Sequence, residues 1–126
     1  PWTFTQIHFL GWADHAVPDI GEFHHLYQTY KTIRQKKPLS EAYGPAVVHC
    51  SAGVGRTGTL ICADMLLDQL RKNPSQIDVF GTILASRVFR RRFVQVKVSP
   101  SSSTGEPVVH VNCISWPAKQ INLPPW

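Results

Sequence analysis

The sequence predicts a single α/β domain, because its apolar patterns run in the order strand, helix, strand, helix, helix. Three observations carry this. Residues 2–9 and 46–49 are short runs rich in β-branched and aromatic side chains. Apolar positions then recur at helical spacing after each of them. The 126 residues are enough for one core, and a chain of that size buries about two-thirds of its unfolded-state surface. With 43% hydrophobic and 17% charged residues, the composition is globular, not disordered.

Residues Trp2 to Phe9 alternate aromatic or β-branched with polar side chains, the period of a half-buried strand. A loop rich in turn formers follows from Leu10 to Pro18. Asp19 is placed to cap a helix with Ile20, Phe23, Leu26 or Tyr27, Tyr30 and Ile33 on one face, and Pro38 stops it by Lys37. After Gly44 and Pro45, residues Ala46 to His49 read as a buried strand and Thr57 to Leu70 as a helix. That helix has a narrow polar stripe of Asp64, Asp68 and Lys72, the last two forming an i,i+4 pair. Asp78 is placed to cap a third helix, with Val79, Phe80, Ile83, Leu84 and Val88 as its apolar face, and Phe93 to Val98 read as extended. Beyond Val98 the composition changes to a Ser/Pro/Gly linker, a brief strand-like VVHVNCI and a Pro-containing end. The expected division is 1–98 and a divergent tail, 99–126.

The bulk properties exclude several classes. No apolar run reaches the roughly 18 residues of a membrane span, since Asp64 interrupts the best candidate, so no membrane contact is expected of this segment. Cys50, Cys62 and Cys113 are odd in number and lack metal-knuckle spacing, which points to a reducing compartment. Net charge is +5, but much of the excess is in Arg87, Arg90, Arg91 and Arg92 at an expected helix end, where the dipole favours cations. No aromatic residues interleave with that run, so nucleic acid is not the expected partner. Of the six histidines only His24 and His25 are adjacent, on a helix where they face one ion poorly; neither a metal nor another cofactor is expected.

The chemistry concentrates in AVVHCSAGVGRTGTL, residues 46–60, where a strand breaks into a glycine-rich loop and resumes as a helix. Gly53, Gly55 and Gly58 spell GxGxxG with Asp78 about 20 residues on, as in dinucleotide-binding units. In those units the acidic residue ends a strand; Asp78 opens a helix. A Walker A loop would need Lys where Thr59 stands. The third reading uses Cys50 and Arg56 together. A loop that wraps an anion turns its N–H groups inward, and the following helix adds its positive end. Such a field lowers a cysteine pKa from about 8.5 to roughly 3.5–7.5, giving a thiolate nucleophile. Arg56 offers a planar fork to two phosphoryl oxygens.

His49-Cys50-Ser51-Ala52-Gly53-Val54-Gly55-Arg56-Thr57-Gly58 resembles the signature loop of the protein tyrosine phosphatases. The resemblance implies a C-terminal portion of a cysteine-based phosphatase domain, a twisted mixed sheet flanked by helices. It implies Cys50 as the nucleophile that forms a phosphocysteine, with Arg56 and the amides of Ser51, Ala52, Gly53, Val54 and Gly55 binding the phosphoryl group. Thr57 would stabilise the departing sulfur and His49 would help set the thiolate. HFLGWADHAVPD resembles the family's mobile acid loop, which makes Asp14 the proton donor to the leaving tyrosine and Trp12 the hinge. Ala13 replaces the family's Pro and Ala16 its Gly, so a lower turnover is expected. Gln95 matches the glutamine that positions the hydrolytic water, after which Val96-Lys97-Val98 departs from the pattern.

The resemblance covers residues 1 to about 98 and lacks the front of the family's domain, including the loop that stacks on phosphotyrosine; an incomplete sheet is therefore expected. The implied reaction is hydrolysis of phosphotyrosine in protein substrates, in the cytoplasm or on the intracellular side of a receptor. IDVFG and VGRTGT lean towards the receptor-type members. The alternatives are a phosphatase-like module that binds or docks without turnover and, ranked below it, the dinucleotide-binding enzyme.

Overall fold

The computed structural model describes residues 3–13, 16–40 and 42–95, together with the backbone of 109–114. The elements follow as β1 (Phe4–Phe9), α1 (Ile20–Lys36), β2 (Ala46–His49), α2 (Arg56–Lys72), α3 (Val79–Phe89) and β3 (Val109–Ile114). The helix starts follow local chemistry. The Asp19 carboxylate accepts from the Glu22 N–H at 3.0 Å and opens α1, and Asp78 accepts from the Gly81 N–H at 2.8 Å and opens α3. Each side chain satisfies one of the donors that a helix leaves unpaired at its first turn.

β1 and β2 run in the same direction and are joined by α1, as a parallel pair requires, yet they are not neighbours. β3 lies between them in the order β1-β3-β2, antiparallel to both, with Ile7 and Val48 each opposite Val111. Among the described strands every pairing is therefore antiparallel, which differs from the expected mixed sheet. The reason is that Val109–Ile114, from the VVHVNCI run read as a strand in a divergent tail, lies between β1 and β2 and pairs with both. Sequence separation does not limit such pairing.

The core gathers side chains of α1, α2 and the loop after β1 against β1 and β2. Trp12, Leu26, Tyr27 and Leu60 are buried, with Ile7, Phe9, Phe23, Tyr30, Val48 and Leu67 packed against them. Full burial of a side chain such as Leu60 contributes about 1.5–3 kcal/mol. Ile20, expected on the buried face of α1, is exposed at the helix's first position. An ionic cluster joins α1 to α2: Lys31 Nζ lies 2.7 Å from Asp64 and 3.3 Å from Asp68, and Tyr27 donates to Asp64. Asp68 also pairs with Arg71 at 2.8 Å, so its partners are these two cations and not the expected Lys72. Burial opposes the charge on Lys31, but the two carboxylates outweigh it and hold its pKa above the ordinary lysine range.

α3 differs most from its sequence pattern. Phe80 and Val88 are 77% and 82% exposed, while Thr82 and Ser86 are buried. The small polar side of the helix faces α2, where Gln69 donates to the Thr82 hydroxyl at 3.0 Å and the Cys62 thiol lies 3.6 Å from Ser86. Hydroxyls that find partners can be buried there, and their size allows close approach. Phe93 to Gln95, expected as the start of a strand, form part of a turn in which Arg92 and Val94 have φ of 62° and 55°. Residues 96–98 lie outside the described residues, as does Trp2.

Candidate active site

β2 ends at His49, the loop runs from Cys50 to Gly55, and α2 begins at Arg56. Unlike α1 and α3, α2 has no side chain capping its first turn, and no acidic residue lies in that turn to offset the dipole. Its N-cap is Gly55, so the donors and the positive end of the dipole remain available to an anion at the loop. Gly53 has φ +67°, a left-handed conformation that any residue with a Cβ enters at a cost, and it lets the loop curl back on itself. Ser51 and Ala52 are exposed, so the loop opens to solvent.

Cys50 is half-buried at the start of this curl. The Thr57 hydroxyl donates to its Sγ at 3.0 Å. Burial pushes the thiol pKa up, but the Thr57 hydroxyl and N–H, the Gly53 N–H and the Arg56 charge together outweigh that, and the thiol sits below its ordinary value. Arg56 is only 6% exposed, and its Nη1 donates to the Trp12 carbonyl at 3.1 Å, which links the cysteine loop to residues 44 positions earlier.

Trp12 is buried and meets the Phe23 ring edge-on, with centroids 5.5 Å apart. Its Nε1 donates to the Ala16 carbonyl at 3.0 Å, and the Ala16 N–H returns to the Ala13 carbonyl at 3.1 Å. These bonds fix both ends of the Trp12–Ala16 segment. Asp14 itself lies outside the described residues. His49, half-buried at the end of β2, is brought beside Cys50 by the chain. Gln95 meets the loop at Gly55: a Cβ placed on that glycine would lie 3.5 Å from Gln95 Oε1.

Three residues at the site escape sequence reasoning. Arg90 donates from Nε to the Gly53 carbonyl at 3.1 Å and from Nη2 to the Ala52 carbonyl at 3.0 Å, so its fork grips the outside of the loop. Arg87 holds the Phe93 and Val94 carbonyls at 2.9 and 3.1 Å. The Val94 N–H then bonds the Val54 carbonyl at 3.0 Å, and Val94 adopts a positive φ that is rare for a β-branched residue. The arginines expected merely to complement a helix dipole thus brace the loop through the turn after α3. The only hint in the sequence is their position just before Gln95.

Asp78 caps α3 and no strand lies between α2 and α3, which removes the dinucleotide-binding reading. Among the described residues no helix is long and apolar enough to cross a membrane.

The family model "Protein-tyrosine phosphatase" matches residues 2–99. Receptor-type tyrosine-protein phosphatase eta of Homo sapiens is 42% identical over 96 residues, which are 73% of this chain and 7% of that protein. The eta phosphatase of Mus musculus matches at the same identity and coverage, and tyrosine-protein phosphatase 69D of Drosophila melanogaster is 41% identical over 92 residues, 72% of this chain and 6% of that protein. This chain therefore spans only a small fraction of these relatives. No solved structure gives a significant match. The match over residues 2–99 includes the whole loop from Cys50 to Arg56, and the chain belongs to the protein-tyrosine phosphatase family.

Proposed function

We propose that the chain hydrolyses phosphotyrosine in proteins through a phosphocysteine intermediate. The observation that carries this reading is the Thr57 hydroxyl 3.0 Å from Cys50 Sγ, at the mouth of a helix whose first turn has no side-chain cap. A thiolate held there attacks phosphorus; the S–P bond forms as the bond from phosphorus to the tyrosine oxygen breaks. Asp14 gives its proton to the departing phenolate. Arg56 and the loop amides balance the charge on the phosphoryl oxygens. In the second step water, oriented by Gln95, attacks phosphorus, the Asp14 carboxylate takes its proton, and the sulfur leaves into the hydrogen bond from Thr57. A hydrogen bond to a charged group contributes about 1.5–3 kcal/mol, which is available to the thiolate both as nucleophile and as leaving group.

The reading extends to receptor-type phosphatases and an intracellular setting, on the relatives' names and a thiol that works only when reduced. The test is turnover of an aryl phosphate by the full chain beside Cys50→Ser, with vanadate as inhibitor. Turnover that vanadate blocks and Cys50→Ser loses by at least about 10³-fold is expected. Equal activity in both proteins overturns it. For Asp14, the rate should fall as pH rises through the value at which its carboxyl loses its proton, and Asp14→Asn should remove that limb. A second reading, a module that holds phosphotyrosine without turnover, is favoured by Ala13 and Ala16 in the acid loop. Tight phosphopeptide binding with no turnover selects it.

A further inference from the structure

α3 turns its apolar stripe to solvent. Phe80, Leu84 and Val88 recur every four residues and form one ridge, about 12 Å long at about 1.5 Å per residue. At about 100° per residue this ridge lies opposite Thr82 and Ser86, the two buried residues whose hydroxyls meet Gln69 and Cys62 of α2. Phe80 and Val88 are largely exposed and Leu84 is 54% exposed. Three large apolar side chains lined up in water mark an interaction surface.

Two features of the ridge select its occupant. It is symmetric about Leu84, so an antiparallel second copy sets Leu84 against Leu84 and Phe80 against Val88. Charge fixes the direction. Asp78 stands at the N-terminal end of α3, and Arg90, Arg91 and Arg92 follow its C-terminal end, all of them exposed. A parallel pair would bring the arginines of both copies together, whereas an antiparallel pair brings Asp78 of each copy to the other's arginines. We infer that α3 is an isologous docking surface for a second copy of this chain, the two helices antiparallel with Leu84 on the two-fold axis.

Ridges of i,i+4 spacing interdigitate in the commonest class of helix packing, with the axes crossing at about 50°. A seam built on one short helix falls in the low-area class, below about 1,200 Å², so the dimer is weak and forms by mass action. The pairing rests on apolar surface and charge alone and is independent of the phosphatase reading.

The test is sedimentation equilibrium of the full chain over a range of concentrations. A monomer–dimer equilibrium is expected, without larger species, because a two-fold contact closes on itself. Leu84→Glu and Leu84→Lys each set like charges face to face on the axis. Each variant alone is expected to stay monomeric where the unsubstituted chain is half dimeric, with little change in Tm because the position is exposed. Mixed in equal amounts, the two variants are expected to pair again, since opposite charges then meet on the axis. If either variant loses its helical circular dichroism, Val88→Glu, at an 82% exposed position that meets Phe80 of the other copy, decides by weakening the dimer. A monomer at every concentration, growth to larger species, dimers that persist in folded Leu84 variants, or a folded mixture that stays monomeric each overturns the assignment. A monomeric chain that adsorbs to phosphatidylserine vesicles, and loses this with Leu84→Glu, gives the ridge to a membrane surface and also overturns it.

Discussion

Residues 50–58 are braced from three sides, by the Thr57 hydroxyl inside the curl, the Arg90 fork outside it and the Val94 N–H behind it. The described residues of the loop at 10–13 and 16–18 rest largely on one indole: Trp12 is buried, while Ala13, Ala16 and Val17 are exposed. The two loops meet through the Arg56 bond to the Trp12 carbonyl. A cradle for a charged group must hold its donors fixed before the charge develops, so its bonds are redundant. A loop proposed to bring a proton and then withdraw is better served by one strong pivot.

The largest disturbance of this contrast should come from Gly58→Ala. A Cβ there would lie 2.5 Å from the Val94 nitrogen and 3.2–3.3 Å from the Phe93 ring, and the backbone contact cannot give way cheaply. Overpacking of this kind costs about 1–3 kcal/mol, so Tm should fall by several degrees and aryl phosphate turnover should collapse with the loop's shape. A variant with native Tm and native turnover would show that the loop is not held against the turn. Arg90→Ala comes next. It removes two hydrogen bonds worth about 0.5–1.5 kcal/mol each, so turnover should fall roughly tenfold with a smaller change in Tm. Arg90→Lys should not restore it, because an ammonium lacks the fork that spans two carbonyls.

Thr57→Ala isolates the electrostatic part. The folded thiol of Cys50 is depressed, so its stabilising contribution is fully present above the ordinary thiol value and is lost as pH falls through the folded value. The pH midpoint of Cys50 alkylation should lie below that of free cysteine in the unsubstituted chain and move upward in Thr57→Ala. An unmoved midpoint would assign the depression to the backbone and Arg56 alone. The smallest effect is expected in the acid loop, where Ala13→Pro restricts the chain before closure. A compatible proline contributes about 0.4–1 kcal/mol, which corresponds to a few-fold rise in turnover. A fall instead would mean that residue 13 does not accept the proline φ.

Much of this was legible because its causes are local. Asp19 and Asp78 read as helix caps because a carboxylate three residues before an amide needs no information from elsewhere. Cys50, Arg56, Thr57 and the glycines stand out because the loop proposed to wrap a phosphate is built from consecutive backbone. The apolar stripe of α3 misled, since periodicity identifies a face but not what covers it, and the helix buries Thr82 and Ser86 instead. The Asp68–Lys72 pair was a correct spacing with the wrong outcome, because Asp68 pairs instead with Arg71 of its own helix and Lys31 of α1.

The sequence by itself determined which residues form the cysteine loop between β2 and α2 and where α1 and α3 begin, since both depend on chemistry within a few consecutive residues. Only the tertiary structure decided that β3 lies between β1 and β2, that Arg90 grips a loop 37–38 residues earlier and that Arg56 meets Trp12. Each of these joins residues far apart along the chain. Their energies depend on packing the whole molecule, and no local pattern of residues encodes them.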